Sequence, residues 1–349
     1  MHTFGLLHSC FLPPDAITEM RAYWRHRATL VASASEQILR MHKSLEMMNL
    51  QLHKVLADTT GVTGILIIRD IVAGVRDAAR LVRHRQSGVK HSHEPFIKAL
   101  TGNYQPEHVF TLRQSLACYD FFQQQIKECD QQLHECIAAI EDKDPPLPPA
   151  SERATPPADK PRGSGAKSSR ASRNEPNFDL HFDLVRIAGV DLNRIDGIST
   201  RTFETIISEI GTDFSPLRTE KNFGSWLGLC PNNRITGGRV RSAGTRKVQN
   251  RVAQAFRLAA HSLHHSQSAL GAYYRRQRAR LGAPKAITAT AYKLARLVWR
   301  MMTYGSEYVD VGQAAYEKKT QERTLKALVT RASSLGYTLV AIGTGEIVA

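Results

Sequence analysis

A chain of 349 residues, 42% hydrophobic and 23% charged, is long enough for two domains with cores of their own and too mixed in composition for a disordered or collagen-like polymer. Its formal net charge of +15 excludes a preference for cationic ligands and points to a polyanion. No apolar run has the length of a membrane span, and Met1 to Cys10 lacks the charged start of an export signal, so a cytoplasmic protein is expected. The cysteines are Cys10, Cys118, Cys129, Cys136 and Cys230, with no Cys-x-x-Cys pair, and they read as small apolar residues in a reducing compartment.

The charge is uneven. Residues 1–142 hold 15 basic and 15 acidic side chains, residues 143–177 hold 7 and 4, and residues 178–349 hold 25 and 13. After Pro13-Pro14, Asp15 is a helix N-cap candidate. A seam of Trp24, Val31, Ala34, Ile38, Met41, Leu45, Met48, Leu52 and Val55 predicts one long helix that breaks at Thr59-Thr60-Gly61. Residues 61–102 read as short helices. Gly61-Val-Thr-Gly64 is either a phosphate-approaching turn or a tight turn between packed helices. A second seam, from Val109 through Leu112, Leu116, Tyr119, Ile126, Cys129 and Leu133 to Ile140, predicts a partner helix. Together the two helices suggest a long antiparallel coiled-coil hairpin over 1–142, a neutral arm that sets distances or joins protomers. Residues 143–177, with Pro145-Pro-Leu-Pro-Pro149 and Gly163-Ser-Gly-Ala-Lys-Ser-Ser169, lose all periodicity and read as a flexible, disordered linker.

The C-terminal domain, 178–349, opens with an amphipathic helix marked by Leu180, Leu184, Ile187 and Val190. Ile195-Asp-Gly-Ile-Ser199 then resembles a helix-hairpin-helix turn, followed by a helix capped by Ser199 or Thr200 and stopped at Gly211. Asp196 suits phosphate poorly, so a DNA-facing turn and a packing turn stay open. From Lys221 to Ser306 there is no Asp or Glu, where the chain's average would place about eight, and there are sixteen Lys or Arg. The densest part carries Arg234, Arg239, Arg241, Arg246 and Lys247 around Thr236-Gly237-Gly238, with Arg251 and Arg257 following. Glycines let backbone N–H groups approach a ligand, and clustered cations hold phosphates, so this stretch is expected to contact a nucleic-acid backbone. Phe223, Trp226, Leu227 and Leu229 should anchor it in a core. A helix is predicted over about 247–270. His261, His264 and His265 lack the companions a metal site needs. Tyr273-Tyr274-Arg275-Arg276 reads as an aromatic–arginine cluster for bases and phosphates, or as a solvated helix face. A further helix should run from Pro284 to Met302, a polar helix over 310–335, and a short strand over Tyr337–Ile342. The fold expected is mainly α.

From about Ile187 to Leu339 the chain resembles the C-terminal domain of the transposases of insertion sequence family 110. The residues that carry the resemblance are Gly189-Val-Asp-Leu192, Ile195-Asp-Gly-Ile198, Ser208-Glu-Ile-Gly211, Trp226-Leu-Gly-Leu-Cys-Pro-Asn-Asn233, Thr236-Gly-Gly238 and Leu281-Gly-Ala-Pro-Lys-Ala-Ile-Thr-Ala-Thr290. Residues 5–142 are similar to that family's middle coiled-coil segment. The resemblance implies a DNA recombinase that moves a mobile element, working as dimers that pair into tetramers, in several members with a structured guide RNA. It also implies a RuvC-like domain whose four carboxylates hold divalent metal, Mg2+, and a Ser that attacks a DNA phosphate. The sequence departs on both counts: the carboxylate domain is expected to be missing, so that the chain reads as an N-terminally truncated transposase inactive alone, and Thr236 stands at the Ser position. The expectations are a recombinase part with Thr236 as attacking hydroxyl and carboxylates from another polypeptide, or a non-catalytic DNA- or RNA-binding dimerisation module; for this chain alone the second is favoured, with no cofactor of its own. A tyrosine recombinase using Tyr273, Tyr274 or Tyr292 would need an ordered Arg/His constellation that the sequence does not show.

Overall fold

The computed structural model of the chain describes residues 13–86, 89, 92–143, 174–242, 244–305, 308–340, 342 and 347–348. Over these residues the fold is mainly α-helical. Sheet is confined, among the described residues, to two antiparallel two-stranded ribbons. The Pro/Gly/Ser-rich connection falls outside the described residues except for 143 and 174–177. The chain divides into two compact units: one comprises 22–136 with 174–178, the other 179 onward with 13–21 and 137–143.

The first unit contains most of α1 (Asp15–Met47), then α2 (Leu52–Val55), α3 (Val62–Val72), α4 (Ala78–Leu81), α5 (His93–Ala99) and most of α6 (Pro106–Ala138). Leu30, Ala34, Met41 and Leu45 of α1 share a core with Leu112, Leu116, Tyr119 and Ile126 of α6, filled out by Ile67, Ile68 and Phe96 from the short helices. The two long helices run antiparallel here: Ser44 Oγ is 3.0 Å from Thr111 Oγ1, and far along both helices Arg27 donates to Asp130. That ion pair has side chains only 6% and 5% exposed, and Arg27 also donates to the Asn174 carbonyl at 2.9 Å. The first helix stops at Met47 rather than at Thr59. Asn49 takes a left-handed φ of 58°, and the Met48 carbonyl and Gln51 N–H pair with Asn103 N–H and the Ala99 carbonyl instead of continuing a helix.

The second unit follows the chain as α7 (Leu180–Ala188), α8 (Thr200–Ile210), α9 (Glu220–Trp226), β1 (Arg234–Thr236), β2 (Arg239–Ser242), α10 (Arg251–Ser262), α11 (Ala269–Leu281), α12 (Ala283–Tyr304), α13 (Gly312–Ser334), β3 (Leu339–Val340) and β4 (Ile347–Val348). Ser199 caps α8 as expected, its hydroxyl accepting the Thr202 N–H at 3.3 Å, and Phe203, Ile206, Ile207 and Ile210 recur at helical spacing on the buried face. α12 is the central element and packs against α9, α10 and α11. Its stripe of Ala291, Leu294, Ala295, Val298 and Met302 is buried. Phe223 of α9 meets Phe256 of α10 with ring centroids 6.3 Å apart and Phe214 at 5.4 Å.

One helix predicted over 247–270 is in fact two. Asn250 starts α10, its side chain accepting the Ala253 N–H at 3.0 Å, and a short 3-10 turn, Leu263–His265, follows Ser262. Ser268 then starts α11 by accepting the Gly271 N–H at 3.0 Å. Ser268, a polar side chain that takes up a backbone donor, sets the restart after the break.

Candidate nucleic-acid interface

The basic stretch that reads as a glycine loop is a β-hairpin. Thr236 is paired with Arg239, Ile235 with Val240 and Arg234 with Ser242, which leaves Arg241 as an extra residue in β2. Gly237 and Gly238 form the two-residue turn with φ of 56° and 70°, and a Cβ at either would meet nothing within 4 Å. The glycines therefore serve the left-handed turn, the conformation a tight hairpin requires, rather than close packing. The ladder continues below the strands: Pro231 bridges to Thr245, and the Asn232 N–H donates to the Gly244 carbonyl at 2.9 Å. Arg246 fixes the base, donating to the carbonyl and the hydroxyl of Ser225 in α9.

Cross-strand pairing and two-residue alternation put Thr236, Arg234, Arg239 and Arg241 on one face of the ribbon. All four are exposed. At the base, Thr245, Arg246, Lys247, Val248, Gln249 and Arg257 line an open groove of about 630 Å³. Hairpin and groove belong to a span without a carboxylate in its sequence, so no neighbour in that span neutralises them. Arg251, the first residue of α10, is more than half exposed and lies 3.9 Å from Glu209, which lessens its field. The hairpin thus presents guanidinium donors beside the Thr236 hydroxyl, and the groove presents guanidinium and ammonium donors at its base, both suited to phosphate oxygens.

Several of the groups that the sequence offers for nucleic acid are set against protein. Arg275 is engaged internally: it donates to the carbonyls of His264 at 3.2 Å and Ser266 at 2.6 Å and to Gln313 Oε1 at 2.7 Å, so it ties the 3-10 turn to α13. Arg276 reaches Thr320 Oγ1 at 3.4 Å and remains exposed. Tyr274 is 2% exposed, and Tyr273 packs on Tyr316 and under Lys293 Nζ at 4.2 Å, so neither ring is free to stack on a base. Burial raises the Tyr273 phenol above its ordinary pKa and lowers the Lys293 amine. The Ile195–Ser199 turn also faces protein. Asp196 accepts from the Ser266 hydroxyl, and a Cβ at Gly197 would stand 3.0 Å from the Ala259 carbonyl and 3.1 Å from Leu263, so its close approach is to α10 and the turn after it.

Sequence reasoning missed the groove and the Arg246–Ser225 anchor. It also missed Glu220, the last acid before the acid-free span, which accepts from Arg296 and lies 3.5 Å from Arg300, fastening α9 to α12. The alternation Ile235/Val240 about a Gly-Gly turn was the available signal for the hairpin.

A divalent cation does not fit the residues around Thr236. Arg and Lys offer no lone pair to a metal. Among the described residues no group of three or more His, Cys, Asp or Glu is placed to hold an ion. The Mg2+ that the resemblance implies has no ligand set at this hairpin among the described residues. No helix among the described residues is long and apolar enough to cross a membrane, and none of the four described cysteines is in a disulfide among the described residues.

Over the segment from the approach to α8 into α11, the chain is similar to the transposase domains of insertion sequences. The model that matches, over residues 191–275, is that of the transposase IS116/IS110/IS902 family. The matched residues contain the hairpin, the groove and Thr236. No curated protein matches the chain.

Proposed function

We propose that the hairpin and groove of residues 228–257 grip the phosphate backbone of DNA, as the nucleic-acid-binding element of an insertion-sequence transposase. The observation that carries this reading is the exposed face bearing Thr236, Arg234, Arg239 and Arg241, unopposed by any acid in its span. Lys247 and Arg257 extend it into the groove. Arg275 supports the surface from within, while Arg246 anchors the hairpin's base to Ser225 and also lines the groove. In this reading the chain by itself binds without cleaving strands.

The pairing of Thr236 with Arg239 supports a second role under one condition. When another polypeptide brings carboxylates to a bound strand, the Thr236 Oγ1 bonds to phosphorus and its proton passes to a base. The displaced strand oxygen then leaves as a hydroxyl. One phosphodiester replaces another, so no external energy source enters. Nearby guanidinium groups stabilise the extra negative charge of the transition state.

The test is binding of a labelled duplex by the whole chain and by an Arg234→Ala/Arg239→Ala/Arg241→Ala variant. Each lost phosphate contact should weaken binding about equally on unrelated sequences. Equal affinity of variant and parent would overturn the interface. Tighter binding of a structured RNA than of duplex DNA would move the assignment to RNA. A protein–DNA adduct that disappears with Thr236→Ala would establish the hydroxyl's role.

A further inference from the structure

Beside the apolar seam that joins α1 to α6 runs a polar one. On α1, Gln37, Arg40 and Ser44 follow one another at spacings of three and four, and on α6 Thr111, Ser115 and Cys118 do the same. With Lys43 they line an open groove of about 700 Å³ within the first unit, a volume in the range of small-molecule sites. No Asp or Glu is among its lining residues.

The floor of the groove holds polar groups that the protein leaves unused. Gln37 is 9% exposed and Ser115 7%, and neither side chain makes a hydrogen bond among the described residues. Gln37 stands between the buried Ala34 and Met41, where an apolar residue would pack at no polar cost. A buried amide and hydroxyl without partners are destabilising unless solvent or a ligand meets them. Ser44 and Thr111 differ from them. Each donates within its own helix, to the Arg40 carbonyl at 3.1 Å and the His108 carbonyl at 3.0 Å.

The rim carries charge. Lys43 is exposed and has no ion-pair partner among the described residues. Arg40 is held by Glu36 at 2.6 Å, but the two side chains are 61% and 60% exposed, a pair weak enough to exchange. Two cations above two neutral donors match one phosphate dianion. They do not match a strand, because residues 1–142 hold 15 basic and 15 acidic side chains and so supply no excess of cations for a polymer to follow.

We infer that this groove binds a small phosphate monoester, with Lys43 and Arg40 on the phosphate oxygens and Gln37 and Ser115 donating to the ligand from the floor. The site belongs to the first unit and does not depend on what the hairpin binds.

Cys118 reports its occupancy. The residue lines the groove and is exposed, so its alkylation by uncharged iodoacetamide can be followed on its own peptide by mass spectrometry, in the full chain. Ribose 5-phosphate should slow the reaction saturably, and sodium chloride at equal ionic strength should not. Lys43→Ala, a change at an exposed position, should weaken the protection about tenfold with an unchanged circular dichroism melt. Gln37→Leu should weaken it too without lowering the melting temperature, because no hydrogen bond within the protein is lost. The inference is overturned if ribose 5-phosphate gives no more protection than chloride, or if either variant is protected like the parent. A thymidine trinucleotide without a terminal phosphate that protects better than ribose 5-phosphate would also overturn it, by making the groove a strand site.

Discussion

Replacing Gly237 by Val tests whether the hairpin turn shapes the interface. Gly237 and Gly238 hold φ of 56° and 70°, and no atom within 4 Å would obstruct a Cβ at either. The cost of a side chain is therefore conformational, about 1–2 kcal/mol for a residue held in the left-handed region. A two-stranded ribbon on a surface has little stability to spare. A loss of that size would depopulate the closed hairpin and weaken DNA binding by about 5–30-fold, since each 1.4 kcal/mol is tenfold. The melting temperature of the unit should hardly move, because β1 is exposed and the cores lie elsewhere. Gly237→Asn is the control: Asn enters this turn readily, so affinity should stay within about twofold. Fluorescence anisotropy on a labelled duplex at one fixed salt concentration reads both. If Asn weakens binding as much as Val, the glycine is needed for close approach of the ligand and the turn argument is wrong. A Val variant that binds like the parent would refute it as well.

Arg275→Ala should lower the thermal stability of the second unit by about 1.5–3 kcal/mol through lost charge-assisted hydrogen bonds, while leaving the salt dependence of DNA binding unchanged. Asp130→Ala leaves Arg27 buried without its carboxylate and should cost about 3–5 kcal/mol in denaturant unfolding, whereas replacing both partners by apolar residues should cost much less. Burial, and then His53 nearby, lower the His42 pKa from 6.5, so between the folded and unfolded pKa values the unfolded chain binds more protons. Stability of the first unit is therefore full above about pH 6.5 and falls as the pH drops below it, and His42→Gln should flatten that fall in melts compared at about pH 7.5 and 5.5.

Much of the fold can be read in the sequence because its signals are local. Ser199 before Phe203, Ile206, Ile207 and Ile210 announces a capped amphipathic helix, and α8 is one. The end of α1 is less legible, because no Gly or Pro marks it: Asn49 turns the chain and the 99–103 segment supplies its backbone partners from far away in sequence. The site shows the same division. The absence of acids and the Gly-Gly turn are visible in the residues. Which arginines remain available is not, because that depends on where carbonyls lie in space. Arg275 and Arg239 look equivalent as letters, yet one finds His264 and Ser266 and the other projects from a ribbon. The groove at Lys247 and Arg257 likewise exists only after α10 begins at Arg251.

The most direct measurement is the slope of log affinity for duplex DNA against log salt concentration. Each phosphate neutralised contributes about −0.9, so engagement of Arg234, Arg239, Arg241, Lys247 and Arg257 predicts a slope near −4.5. Removing Arg234, Arg239 and Arg241 together should make it shallower by about 2.7. A flat response in the parent chain, or an identical slope after those three arginines are removed, would contradict the account.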